Sequence, residues 1–462
     1  RQSVPVSAER QHLRQRAILE TVEIFLELSA NEYGDQPKER LEDLWARVTQ
    51  NALEDELKEW YIILVFAYGS FLNYEQGFRQ VTQIIPKVRT WQDPWLLGIC
   101  YLYGNPSHAH AENDIYKQHL LEALAIFRRL GVVYEQGATL LNLGNVAIGE
   151  KDYQQAIEYI ELSRPLFRQI SKGHEFIVFW NLAECYLTVG DIDQALLALE
   201  ELRALAENTG NQRLLGETLA WKSRVLGRYG SLEQALEIGK IGLELAVKAG
   251  IQNDIAWHAW ELGDIYRLIG DMHSAREYYQ QALPFFEAIQ DYVGLGFYDR
   301  GMGDIAMQQE DWEAARQWYQ QALAVQEKEQ RSLRSWGLAF YQARLGMALV
   351  RLGDFGEAKQ HLRTALVMAE QWVYPDMKAL PLTGIASLLA ASGLPAQAIE
   401  VAACVISQPT TWNEVRGQAQ LVIEVAQGEL PAADVQRARQ RGKAASIDEL
   451  CRVYLDHPML SV

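Results

Sequence analysis

Few residues in this chain have the types and spacing that chemistry needs. His108 and His110 form an H-x-H pair in "GNPSHAHAEND". Two imidazoles could begin a metal site, but spacing places no third ligand, and a polar surface loop explains the pair equally well. His258 and His361 stand isolated on segments of helical pattern. No Gly-x-Ser-x-Gly, HExxH or Cys/His arrangement occurs, and "GKAAS" at 442–446 lacks the preceding glycine of a phosphate loop. Cys100, Cys185, Cys404 and Cys451 are widely scattered without CxxC spacing and read as reduced core thiols. The expectation is a chain without catalytic residues, metal or cofactor, whose function lies in binding.

The elements that would position binding residues follow from a repetition. "GDMHSAREYYQQAL" at 270–283 returns as "EDWEAARQWYQQAL" at 310–323, with eight of fourteen positions identical. Aligning the small residue after each turn gives Ala156, Ala195, Ala235, Ala275, Ala315, Ala358 and Ala398, at spacings of 39, 40, 40, 40, 43 and 40. Such a period without β-rich segments marks a helical solenoid, and 462 residues exceed one ordinary compact core. Each period splits into helix A and helix B at a turn such as "GEKDY" (149), "VGDID" (189), "YGSLE" (229), "IGDMH" (269) or "LGDFG" (352). Glycine is expected to end helix A in the left-handed region, and Asp or Ser to cap helix B. Twelve residues before each alanine lies a second small position: Gly144, Ala183, Ser223, Gly263, Gly303, Gly346 and Ala386. Small residues at both places let the two helices of a hairpin approach closely, while residues such as Leu262, Tyr266 and Tyr279 fill the gaps to neighbours.

The stretch "ELGDIYRLIGDMHSAREYYQQAL" from 261 resembles the tetratricopeptide repeat almost throughout: Leu-Gly, then Tyr three residues on, in helix A, and Ala, an aromatic and Ala in helix B. Nine such hairpins can be counted over residues 54–409, including weaker ones with Val65 and Tyr68 and with Leu97, Gly98 and Tyr101. The resemblance implies an all-α, right-handed superhelical solenoid of antiparallel helix pairs. The departures are a period of about forty rather than thirty-four residues and the missing proline near the end of helix B. Residues 1–53 and 410–462 are helical but off-pattern and read as an N-terminal and a C-terminal cap. The long repeats and the tail from "ASLLAASGLPAQAIEVAACVISQ" look like the C-terminal sensor arm of bacterial signal-transduction ATPases with numerous domains, a family that includes the maltose activator. The nucleotide-binding half is missing from this chain, since no GxxxxGK[ST] occurs. The first residue is Arg1, which fits a chain cut from something longer.

In tetratricopeptide arrays helix A lines the concave surface. The candidate ligand-binding residues are those on helix A that point away from the packing stripe. They are Asn145, Trp180, Asn181, Glu184, Trp221, Arg224, Trp257, Trp260, Glu261, Asp264, Arg267, Arg300, Asp304 and Arg344. The groove would be aromatic at its floor and mixed in charge, which suits a peptide or a medium-sized organic ligand. An aromatic stripe at helical spacing also fits core packing, with Trp257 or Phe340 against the next repeat. Asp264, Arg267, Arg300 and Asp304 are expected in the open groove, because unpaired burial of charge is costly. Arg300→Ala or Trp260→Ala should then weaken binding and leave the fold intact. Asn145 and Asn181 fall on the asparagine positions of the family's carboxylate clamp, but its basic positions hold Leu141, Glu217 and Trp221. A clamp is therefore disfavoured, although the asparagines could hold a peptide main chain.

A net charge of −17 with dispersed Lys and Arg disfavours direct nucleic-acid binding. The most apolar run, "WYIILVFAYGSFL" at 60–72, is shorter than the ~18 to 20 residues that a bilayer span needs. A cytoplasmic location follows as an expectation. The partner expected in the groove is a protein, a peptide or a small organic ligand, and the array would regulate a linked NTPase or effector. The alternative is a constitutive adaptor that holds protein partners without switching.

Overall fold

The computed structural model describes residues 83–104, 113–170, 175–288, 290–327, 336–370 and 376–460, with isolated positions before residue 58. His108, His110, Val65, Tyr68 and most of residues 1–53 lie outside the described residues. The chain divides into two compact units, Arg1–His174 and Glu175–Val462. Among the described residues every regular element is a helix, and no helix is long and apolar enough to cross a membrane.

The first unit holds α1 (Pro94–Tyr103), α2 (Asn113–Leu130), α3 (Val133–Gly149) and α4 (Tyr153–Ile170), each packed on the next. The second holds six helix pairs: α5 (Phe176–Val189) with α6 (Ile192–Thr209), α7 (Gln212–Tyr229) with α8 (Leu232–Ala249), α9 (Gln252–Ile269) with α10 (Met272–Ala288), α11 (Tyr292–Gln308) with α12 (Trp312–Glu327), α13 (Trp336–Leu352) with α14 (Phe355–Glu370), and α15 (Asp376–Ala391) with α16 (Pro395–Ser407). Then follow α17 (Asn413–Gln427), α18 (Ala432–Ala444) and α19 (Ile447–Leu455).

The register of small residues is the register of the pairs. All seven aligned alanines are 0% exposed. The Ser223 hydroxyl donates to the carbonyl of Ala235 at 2.6 Å, tying the small position of helix A to the alanine of its own helix B. A Cβ at Gly144 or Gly346 would stand 3.3 or 3.4 Å from the carbonyl of Ala156 or Ala358. At Gly263 it would stand 2.5 Å from the ring of Tyr279 and 3.2 Å from the carbonyl of Ala275. Gly263→Leu should therefore cost about 1 to 3 kcal/mol or more through overpacking. Glu277→Ala, on the exposed side of the partner helix, should stay within about 0.5 kcal/mol. Equal shifts of the thermal midpoint in the two variants would refute this packing.

The turns vary more than expected. Gly190, Gly270 and Gly353 have φ of 82°, 95° and 86°, and Asp191 and Asp271 accept from the backbone N–H groups of Gln194 and Ser274. Gly230 instead has φ −125°. After Gly149 the left-handed residue is Lys151, at φ 63°, followed by the cap Asp152. Where a left-handed residue occurs in these turns it stands five residues before the aligned alanine, at Lys151 and Glu310 as at the glycines, so its place in the loop, not glycine itself, is what repeats.

Candidate functional site

The A helices α7, α9, α11 and α13 pack side by side in the second unit. Arg267, Arg300 and Arg344 stand on three of them, four residues after, three before and two before the small residue of the helix, with side chains 1, 4 and 3% exposed. The expectation that these charges stand in an open groove is corrected. They are buried, and mutual pairing offsets the cost that favoured exposure. Asp264 accepts from Arg300 at 2.8 Å and from the Tyr279 hydroxyl at 2.7 Å. Asp304 accepts from the Tyr319 hydroxyl at 2.7 Å and lies 3.2 Å from Arg344 and 3.4 Å from Arg300. Burial opposes ionisation of Asp264, but Arg300 and Arg267 outweigh it and hold its carboxyl well below the usual range.

Sequence patterns gave no sign of the residue that completes the network. Glu414, in the first turn of α17, accepts from both terminal nitrogens of Arg267, at 3.1 and 3.2 Å, and from Arg344 at 2.7 Å. Burial again opposes its charge, and the two guanidinium groups still lower its carboxyl to about 2. The short segment before α17 runs along the same A helices. Pro409 lies beside Gly190, the Tyr229 hydroxyl donates to the carbonyl of Thr410 at 3.3 Å, and Thr411 is 1% exposed. The Trp412 ring stacks on Phe340 with centroids 5.2 Å apart, and the guanidinium of Arg228 lies 4.0 Å from its centre. The tail thus covers the last hairpin, with α17 and α18 against α16, while its leading residues turn inward.

Trp260 belongs to the same interior. Its indole N–H donates to the carbonyl of Phe297 at 3.0 Å, and Arg300 lies over its ring. Trp257 packs edge-on against Trp260, Phe286 and Phe297. Both tryptophans are therefore packing residues here, and Trp260→Ala or Arg300→Ala would disturb the fold as well as any ligand. A second group stands apart from the network: Arg224 pairs with Glu261 of the next A helix, and the rings of Trp180 and Trp221 are 4.3 Å apart. Asn181 donates to the carbonyl of Ile177 in its own helix, and Glu184 is half-buried nearby on α5. Asn145 is exposed on α3 in the first unit. The clamp's basic positions hold Leu141, Glu217 and Trp221, none of them a cation.

Gly190 tests the seat of the inward segment. Its φ of 82° disfavours any side chain, and a Cβ would stand 2.8 Å from that of Pro409. Gly210 has φ 67° with nothing within 4 Å. Gly210→Ala should cost about 1 kcal/mol for the backbone alone, and Gly190→Ala clearly more. Equal melting shifts would show that Pro409 does not hold this position.

Sequence models of the tetratricopeptide repeat match residues 135–208, 260–283 and 297–371. No curated protein matches the sequence. Among solved structures, aspartyl phosphate phosphatase F from Bacillus subtilis is similar with a TM-score of 0.49 and 12% identity, over 79% of this chain and 95% of that one. BtubC from P. vanneervenii gives 0.40 and 19%, over 47% and 90%. A signal transduction ATPase with numerous domains and a tetratricopeptide repeat sensor, from Pyrococcus horikoshii, gives 0.42 and 14%, over 89% of this chain and 56% of that one. The paired helices, their register and the matched models agree: residues 135–208, 260–283 and 297–371 are tetratricopeptide repeats in a helical solenoid.

Proposed function

We propose that this tetratricopeptide array is the sensing arm of a larger signalling protein, and that its A helices grip a peptide segment of a partner and thereby regulate a linked NTPase or effector. One observation carries the reading: the A-helix face of Glu175–Val462 already holds a peptide segment, the chain's own Pro409–Glu414, a turn that leads into α17, through a guanidinium fork, an aromatic seat and a tyrosine hydroxyl on its backbone. That is the chemistry of peptide recognition, supplied in cis. Small interfaces between successive hairpins let such an array change curvature when contacts on one face change.

The test is selection of random peptides against the full chain, followed by photo-cross-linking from chosen positions. Cross-links are expected from inner-face positions such as Trp180 and Arg224. Cross-links instead from Leu197 and Ile241, exposed on helices B beside an open groove of about 700 Å³, would overturn the reading and favour an adaptor that uses its outer face.

A further inference from the structure

The inward segment defines what its replacement must carry, an inference that rests on the peptide-gripping role of the A helices. Arg267, Arg300 and Arg344 bring three positive charges to the face, and Asp264 and Asp304 bring two negative ones. Three minus two leaves one positive charge, which Glu414 neutralises. Taken out of water without a counter-ion, that charge is expensive. The interior is therefore closed either by Glu414 or by another anion in the same fork. A neutral ligand cannot take its place.

Trp412 adds the second requirement. Its ring lies between Phe340 and Arg228, two residues before the carboxylate. The fit is incomplete: among the described residues its buried indole N–H meets no acceptor, and a cavity of about 40 Å³ remains among Trp412, Trp260, Arg228, Asp264 and Glu414. A buried donor without a partner costs free energy, so another occupant can improve on this one. The guanidinium of Arg416 holds the carbonyls of Ile406, Gln408 and Thr411. That clasp joins α17 to the end of α16 and makes no bond to the A helices, so lifting Trp412 and Glu414 off them does not break it.

We propose that Trp412 and Glu414 are a built-in stand-in for the ligand. The ligand is a peptide with an aromatic side chain two residues before a carboxylate; it enters the seat beside Phe340 and the fork of Arg267 and Arg344, and it displaces the start of α17. The start of α17, which this segment ties to α7, α9 and α13, is then the part of the arm that responds.

The experiment uses the full chain carrying Trp412→Ala and Glu414→Gln together, and a synthetic peptide of residues 406–418. Titration calorimetry should show the double variant binding the peptide at least about tenfold more tightly than the unaltered chain, whose own segment competes at high effective concentration. The same peptide with Glu414→Gln should lose about tenfold or more, because the fork then faces a neutral amide. A folded double variant that ignores the peptide, or binds both peptides equally, overturns the proposal. Where the double variant does not fold, hydrogen exchange of the unaltered chain at millimolar peptide decides. Faster exchange in Asn413–Gln427 with the acidic peptide alone supports the displacement, and no change overturns it. Selected peptides that cross-link to the inner face but lack the aromatic and acid pair would overturn this inference while leaving the sensing role standing.

Discussion

Asp304→Ala should destabilise the fold by about 3 to 5 kcal/mol, the usual cost of removing one partner from a buried ion pair. The carboxylate is 2% exposed and stands among Arg267, Arg300 and Arg344. It also accepts the hydroxyl of Tyr319, which would lose its buried acceptor. Removing it leaves three guanidinium groups against Asp264 and Glu414. Glu313→Ala is the contrasting case, since Glu313 pairs with Arg316 on an exposed helix surface three residues apart; it should change stability by less than about 0.5 kcal/mol. Urea denaturation followed by tryptophan fluorescence and by circular dichroism would report both. Equal midpoints for the two variants would show that the network does not hold the second unit together.

The repeats were legible because their causes are local and periodic. A small residue must stand wherever two helices touch, so Gly144 and Ala156, Ser223 and Ala235, and Gly263 and Ala275 could be aligned by counting alone. The charged residues of the A helices were legible as a set for the same reason, since Asp264, Arg300, Asp304 and Arg344 recur on one helical face. Their burial was not legible. It depends on Glu414, 147 residues from Arg267 and 70 from Arg344, and no pattern around "TTWNEV" marks that carboxylate as theirs. Unpaired charge does avoid burial, but here the partner comes from outside the repeats, so the rule pointed the wrong way. Trp257 and Trp260 posed the opposite problem. Helical spacing fits core and groove alike, and only the rings of Phe286 and Phe297 against them decide for the core.

Asp299 sets the pH at which the fold is strongest. It is 3% exposed on α11, and burial pushes its carboxyl from 3.8 up to about 7. A carboxyl that binds its proton more tightly when folded stabilises the fold at low pH: the contribution is complete below the unfolded value and is lost as pH rises through about 7. Glu414 slopes the other way. Its carboxyl is lowered from 4.5 to about 2, so its contribution is present above 4.5 and lost as pH falls toward 2. On these two groups the fold should therefore be most stable at about pH 4, between their unfolded values of 3.8 and 4.5, with an acid limb from the ion network and a loss toward pH 7 from Asp299. Asp299→Asn keeps the shape and removes the ionisation. At pH 8.5 the variant should be more stable than the unaltered chain by roughly 4 kcal/mol, since each tenfold change in proton affinity corresponds to about 1.4 kcal/mol, while at pH 3.5 the two should nearly coincide. Urea midpoints at the two pH values measure the difference. A gain of equal size at both, or an unaltered chain that loses nothing between pH 6 and 8.5, would show that Asp299 is not the group that ionises, and any loss toward pH 7 would have to come from elsewhere in the array.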